Sequence, residues 1–204
     1  MSVAASLSLP AAQTFSSGLS SAESGVVTHA LEYAMPLYAG KLLSTGEDAT
    51  EHALGMASCV ADLNLDADTR AASLLFAVPS YVDDADERLE SEFNPAVAAL
   101  VTGIYRLNAL RVVIRNRESN ALKSPGRASQ LEVLRKMFLA MVEDVRVVLL
   151  RLASRTQTLR YLTRVETGAH REIAQETLDL YAPLANRLGV WQLKWELEDL
   201  SLRF

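Results

Sequence analysis

The chain has 204 residues, half of them apolar, with 9 glycines, 6 prolines and a single cysteine. That length holds one large domain or a domain and a fragment, and the composition excludes collagen-like, disulfide-stapled and wholly disordered chains. The net charge of −5 argues against a dedicated nucleic-acid binder, and no run approaches the roughly 18 apolar residues of a membrane span, so a soluble protein is expected.

Residues 1–25 are rich in serine and alanine and lack both the basic start and the continuous apolar run of a secretory leader, so they read as a flexible tail. Apolar spacing then predicts helices near 26–43, 49–62 and 67–79. The Ser and Thr around Thr45–Thr50 supply the start of the second, which carries His52 and, among Met56, Ala57 and Val60, the lone Cys59. One cysteine allows no internal disulfide and fits a reduced, cytoplasmic compartment. After the acidic stretch Asp83 to Glu92, Asn94 before Pro95 places an N-cap ahead of a proline at the first helical position, which opens a helix near 95–110. A polar loop with Ser124-Pro125-Gly126 follows at about 115–129.

From Leu134 onward Met137, Phe138, Met141, Val145, Val148, Leu149 and Leu152 recur at three- and four-residue steps, which paints one stripe on a helix over 130–153 with a Ser129/Glu132 capping box. Segments 154–165, 170–188 and 190–204 complete an all-α domain; no stretch alternates as a strand and no internal repeat is present.

Charge is split along the chain: residues 1–100 carry 3 basic and 14 acidic side chains, residues 101–204 carry 17 and 11. The basic excess lies in 105–136, where Arg106, Arg111, Arg115, Arg117, Lys123, Arg127, Arg135 and Lys136 face only Glu118 and Glu132. Such a run pairs with the acidic stretch, stays solvated, or touches phosphate or RNA. The three histidines, His29, His52 and His170, belong to no metal-ligand spacing, and neither a Gly-rich phosphate loop nor a nucleophile elbow occurs.

The run Ala182-Pro183-Leu184-Ala185-Asn186-Arg187-Leu188-Gly189, followed by Lys194-Trp195-Glu196-Leu197-Glu198-Asp199-Leu200-Ser201, resembles the junction of hydrolase and synthetase domains in the RelA/SpoT family. Leu134 to Met137, Glu143 to Val147 and Phe93 to Gly103 match the same family in order and spacing, so the resemblance covers roughly 26–204. It implies the N-terminal part of a longer protein that makes guanosine tetraphosphate from ATP and GTP. The implied division is a tail to 25, an HD-type domain over 26–168, and a helical junction over 169–204 leading to an absent synthetase domain.

In the bifunctional members the HD-type domain removes the 3′-pyrophosphate using Mn²⁺, held by an early His, a contiguous His-Asp and a late Asp. A hard divalent ion that polarises a pyrophosphate needs such fixed N and O donors and an open water position. Here His52 keeps the early position, but the His-Asp pair falls on Phe76 and Ala77 and the late Asp on Ser154. The acidic pair that serves the hydrolytic water falls on Ser80 and Tyr81, a nucleotide-contacting basic residue on Leu43, and the Asn of the late run on Thr158. Asp83 and Asp84 come two or three residues late, and on a helix that turns a side chain by about 200–300°.

The pattern resembles the synthetase-only branch, with an inactive hydrolase domain that has lost Mn²⁺ and needs no cofactor of its own. The implied role is a non-catalytic regulatory and structural domain of a GTP pyrophosphokinase. Mg²⁺ with ATP and GTP belongs to the absent synthetase domain; ribosome and uncharged tRNA are partners of absent C-terminal domains, and no membrane partner is implied. Two alternatives stay open: a module that holds a guanine nucleotide without cleaving it, and a residual pyrophosphohydrolase with a shifted metal set. On the last helix Trp191 and Trp195 share one face and Leu193, Leu197 and Leu200 another, so the tryptophans either complete this domain's own core or contact another domain.

Overall fold

The computed structural model describes residues 13–118, 144–165 and 170–204, with side chains in α5 described as far as 108. Among them every regular element is helical; the only β-type pairing is an isolated bridge between Leu42 and Asp48. No helix among the described residues is long and apolar enough to cross a membrane. The chain forms two compact units, Met1–Thr102 and Gly103–Phe204, which divide inside one helix.

The first unit contains α1 (Ser21–Tyr38), α2 (Ala49–Asp62), α3 (Ala67–Leu74), a 3₁₀ turn (Val78–Ser80), α4 (Ala85–Glu92) and the start of α5 (Pro95–Glu118). The predicted tail is corrected from residue 13 on. Ser20 closes a capping box with Glu23 and starts α1 five residues earlier than the apolar pattern suggested. Phe15 is buried, and the buried Arg70 of α3 donates through Nη1 to the carbonyls of Phe15 and Ser17 (both 2.8 Å) and through Nε to that of Leu65 (2.7 Å). Val27, Ala30, Leu31, Ala34 and Tyr38 form the buried stripe of α1, which packs with α2 against α3.

Three predicted boundaries move for local reasons. α1 stops at Tyr38 because the chain turns through Gly40, at φ 70°, into a loop that leads to Asp48. The cap of α2 is Asp48, whose carboxylate accepts from Thr50 N and Glu51 N, and not one of the Ser or Thr residues nearby. α3 ends at Leu74 and the chain passes into a 3₁₀ turn, with Val78 N bonding Leu75 O at 3.0 Å; Pro79, lacking an N–H, could not have bonded that carbonyl in a continued α-helix. The acidic stretch, which no predicted helix covers, is largely α4, whose buried residues are Ala85 and Leu89. The Asn94 cap of α5 is present, its Oδ1 accepting from Val97 N at 2.9 Å.

The second unit contains the remainder of α5, α6 (Val145–Leu162), α7 (His170–Glu176), a π turn (Thr177–Tyr181), α8 (Ala182–Arg187) and α9 (Trp191–Ser201). Two expectations about α6 are corrected. It does not continue back through 144, because Asp144 is extended (φ −123°, ψ 118°) and caps Arg146 N. Nor does it break at 153/154: it runs through, and from Leu150 to Gln157 every residue is buried, including Arg151, Ser154, Arg155, Thr156 and Gln157. A single apolar stripe misses a helix whose buried faces are partly polar. The loop predicted at about 115–129 is corrected at its start, because α5 runs on past 110 to Glu118; the rest of that loop, the Ser129/Glu132 capping box, Leu134 to Met141 and the basic side chains from Arg111 to Lys136 lie outside the described residues, while Arg106 is exposed.

Candidate functional site

His52 stands on the first turn of α2, and the loop before it is arranged to place one acid under it. Leu43 N donates to Glu47 O (2.8 Å), Gly46 N to Leu43 O (2.9 Å) and Ala49 N to Lys41 O (2.9 Å). Gly46, at φ 83°, makes the turn that a Cβ would strain. Glu47 and His52 are both buried, with Oε2 of the acid 2.7 Å from Nδ1 of the ring. An ionised carboxylate can only accept, so in that state the hydrogen sits on Nδ1. The same pairing orients imidazoles that ligate metals through the other nitrogen. Sequence reasoning missed Glu47; its one signal is its place five residues before His52 in Gly46-Glu47.

Phe76 and Ala77, where the resemblance expects His and Asp, sit at an aromatic cluster. The ring of Phe76 lies 4.9 Å from that of His52 and 5.8 Å from that of Tyr38, and Tyr38 lies 5.9 Å from Tyr81. Phe76 and Ala77 are buried, and Ala77 N donates to the Tyr38 hydroxyl at 3.1 Å. Burial pushes the Tyr38 hydroxyl well above its ordinary pKa, so it stays protonated. Tyr81 is half-buried with Lys41 Nζ 5.8 Å from its ring centre; Ser80 is exposed at the end of the 3₁₀ turn and Leu43 is half-buried in the loop. Asp83 and Asp84 are exposed, Asp84 in a left-handed conformation ahead of α4.

Ser154 and Thr158 belong to the second unit. Ser154 is buried; its hydroxyl accepts from Arg151 Nη1 at 3.3 Å and its carbonyl accepts from the Thr158 hydroxyl at 3.1 Å. Around them the π turn sets Tyr181 between two buried guanidinium groups. Arg151 donates to the Tyr181 hydroxyl, and Arg155 stacks 4.4 Å from the ring centre while pairing with Glu176 at 2.7 Å. The remaining histidines are accounted for by packing: His29 stacks on Phe93 and faces Glu92, and His170 stacks on Phe204.

These donors do not fit a divalent ion. Among the described residues no three His, Cys, Asp or Glu side chains come together as an ion's ligands would, and the ring of Phe76, which offers no donor, lies 4.9 Å from that of His52.

On α9, Leu193, Leu197 and Leu200 are buried, whereas Trp191 and Trp195 are 52% and 64% exposed. Among the described residues the tryptophans therefore do not complete a core.

Residues 30–191 match the HD domain family. The chain is 40% identical over 164 residues to a guanosine-3′,5′-bis(diphosphate) 3′-pyrophosphohydrolase of Haemophilus influenzae, covering 80% of this chain and 23% of that protein. It is 36% identical over 179 residues to a GTP pyrophosphokinase of Myxococcus xanthus (88% and 23%) and 37% identical over 162 residues to the bifunctional (p)ppGpp synthase/hydrolase SpoT of Escherichia coli (79% and 22%). The chain belongs to the RelA/SpoT family and carries that family's HD domain. It spans under a quarter of the length of these relatives.

Proposed function

We propose that this chain is a catalytically silent HD domain that serves a guanosine tetra- or pentaphosphate synthetase as a regulatory and structural part. The observation that carries this reading is the exchange of donors for apolar groups beside His52. Phe76 and Ala77 stand where the resemblance puts His and Asp, and both are buried. One imidazole, even with Glu47 holding it, cannot compete with water for a weakly binding divalent ion. A site without an ion gains stability by burying apolar volume in place of unpaired carboxylates.

The parent activity under this proposal is pyrophosphate transfer from ATP to GTP with Mg²⁺, in the cytoplasm, with ribosome and uncharged tRNA engaged by other parts of the protein. The exposed Trp191 and Trp195 supply the contact with the synthetase domain. Metal analysis of the purified chain together with an alarmone hydrolysis assay in Mn²⁺ tests the proposal. Substoichiometric manganese after dialysis and no pyrophosphate release are expected; near-equimolar manganese or steady turnover would sink it.

A further inference from the structure

Tyr38 meets the segment 76–81 at three positions. Its ring packs edge-on against Phe76 and at a tilt against Tyr81, and its hydroxyl receives the Ala77 amide at 3.1 Å. These partners occupy the positions that the resemblance assigns to the first ligand of the His-Asp pair, to one of the two acids behind it, and to the second ligand of the pair. Ala77 lies past the end of α3, at φ −105°, ψ 1°, where the regular ladder has stopped. Tyr38 ends α1, and no part of it is exposed.

We propose that Tyr38 is the clasp of the first unit, joining the end of α1 to the segment 75–81 in place of the divalent ion that an HD domain holds at these positions. An ion links helices because its ligands come from different ones. Here side chains do the joining, and they bring in α1: His52 of α2 stacks on Phe76, Phe76 and Tyr81 pack on Tyr38 of α1, and the hydroxyl takes up the buried Ala77 amide at the bend. Aromatic rings at these separations contribute beyond their buried area, and a buried amide deprived of its acceptor is costly. This inference rests on the ion-free reading above, since an ion at His52 would displace the ring that stacks there.

The experiment compares the chain with Tyr38→Phe and, as a control on the same helix, Tyr33→Phe, by thermal melting in EDTA and in Mn²⁺ and by hydrogen exchange at the Ala77 amide. The unmodified chain is expected to melt at one temperature in both media. Tyr38→Phe keeps the ring and removes the acceptor, so it should melt about 2–4 °C lower and exchange at Ala77 at least about tenfold faster, while Tyr33→Phe changes neither. If Tyr38→Phe melts with the parent and Ala77 keeps its protection, the clasp is wrong although the ion-free reading stands. A parent melting point that falls in EDTA overturns the ion-free reading, and the clasp with it.

Discussion

Arg160 and Glu196 meet as a two-pronged pair, Nε to Oε1 at 2.6 Å and Nη2 to Oε2 at 3.0 Å, which ties α6 to α9. Both side chains are about one-third exposed or less, and the paired geometry holds the fork flat against the carboxylate. A double-mutant cycle of Arg160→Ala and Glu196→Ala should give a coupling of about 0.5–1 kcal/mol that shrinks in high salt. A coupling indistinguishable from zero at low salt would remove the pair from the account of how α9 is held.

Trp191 and Trp195 project from the same helix whose Leu197 is wholly buried. Replacing either tryptophan by alanine should leave chain stability within about 0.5 kcal/mol, whereas Leu197→Ala should cost about 2–5 kcal/mol. In a longer protein that includes the synthetase, Trp191→Ala or Trp195→Ala is expected to change alarmone output more than Lys123→Ala. Equal and negligible effects of all three would remove the docking role.

Gly103 has no room for a side chain: a Cβ there would stand 2.7 Å from Val147 Cγ2. Alanine gains about 1 kcal/mol of helix propensity over glycine, but overpacking against a stiff β-branched neighbour costs about 1–3 kcal/mol. Gly103→Ala should therefore destabilise, and Gly103→Ala with Val147→Ala should recover part of the loss. A gain in stability from the single change, read by denaturant melting, would contradict the contact.

Asp144 caps α6 and grips Arg146 Nε and Nη2 at 2.9 and 2.6 Å, and the Arg146 side chain holds its carboxyl below the ordinary aspartate range. A lowered folded-state pKa contributes stability that is complete above the unfolded pKa and is lost as pH falls through the folded one. Asp144→Ala should cost about 1 kcal/mol at pH 7, and the gap between variant and parent should narrow as pH drops below about 4. A gap independent of pH would assign the effect to something other than the carboxylate.

How much of this was legible beforehand varies with what each residue answers to. The stripe from Val27 to Tyr38, the Asn94-Pro95 start and the buried leucines of α9 were readable because local spacing and cap chemistry decide them. α4 was not, since two buried apolar residues in an acidic octet give no period. The course of α6 was hidden by its buried Arg151, Ser154, Arg155 and Gln157, polar residues that tertiary partners retain in the interior. The resemblance points to Phe76, Ala77 and Ser154 without reference to folding, whereas the burial of Glu47 against His52 and the reach of Tyr38 to Ala77 are products of folding.

Installing the ligands that the resemblance implies, with Phe76→His, Ala77→Asp and Ser154→Asp in a chain that keeps His52, should not produce hydrolysis. Fixing the nucleotide and supplying an acid or base each contribute orders of magnitude, and the positions to which the resemblance assigns those tasks remain Leu43, Ser80, Tyr81 and Thr158. Arg151 Nη1, 3.3 Å from the Ser154 hydroxyl, would compete for the new carboxylate at 154. Buried acids without an ion should cost about 1–3 kcal/mol each, so the triple variant should melt below the parent until Mn²⁺ is added. Turnover comparable to a bifunctional relative would show that only the metal ligands had been lost.

Arg70 has a bearing on where this domain can be cut. Its guanidinium is buried, and it donates to the carbonyls of Phe15 and Ser17, upstream of the first long helix, as well as to that of Leu65. A fragment beginning at residue 26, where the apolar pattern first becomes regular, would take away two of the three carbonyls that Arg70 bonds and uncover the face that Phe15 covers. The smallest piece of this chain able to fold as the first unit therefore starts before Phe15, and limited proteolysis of the native protein should spare 15–20 while Arg70 is in place.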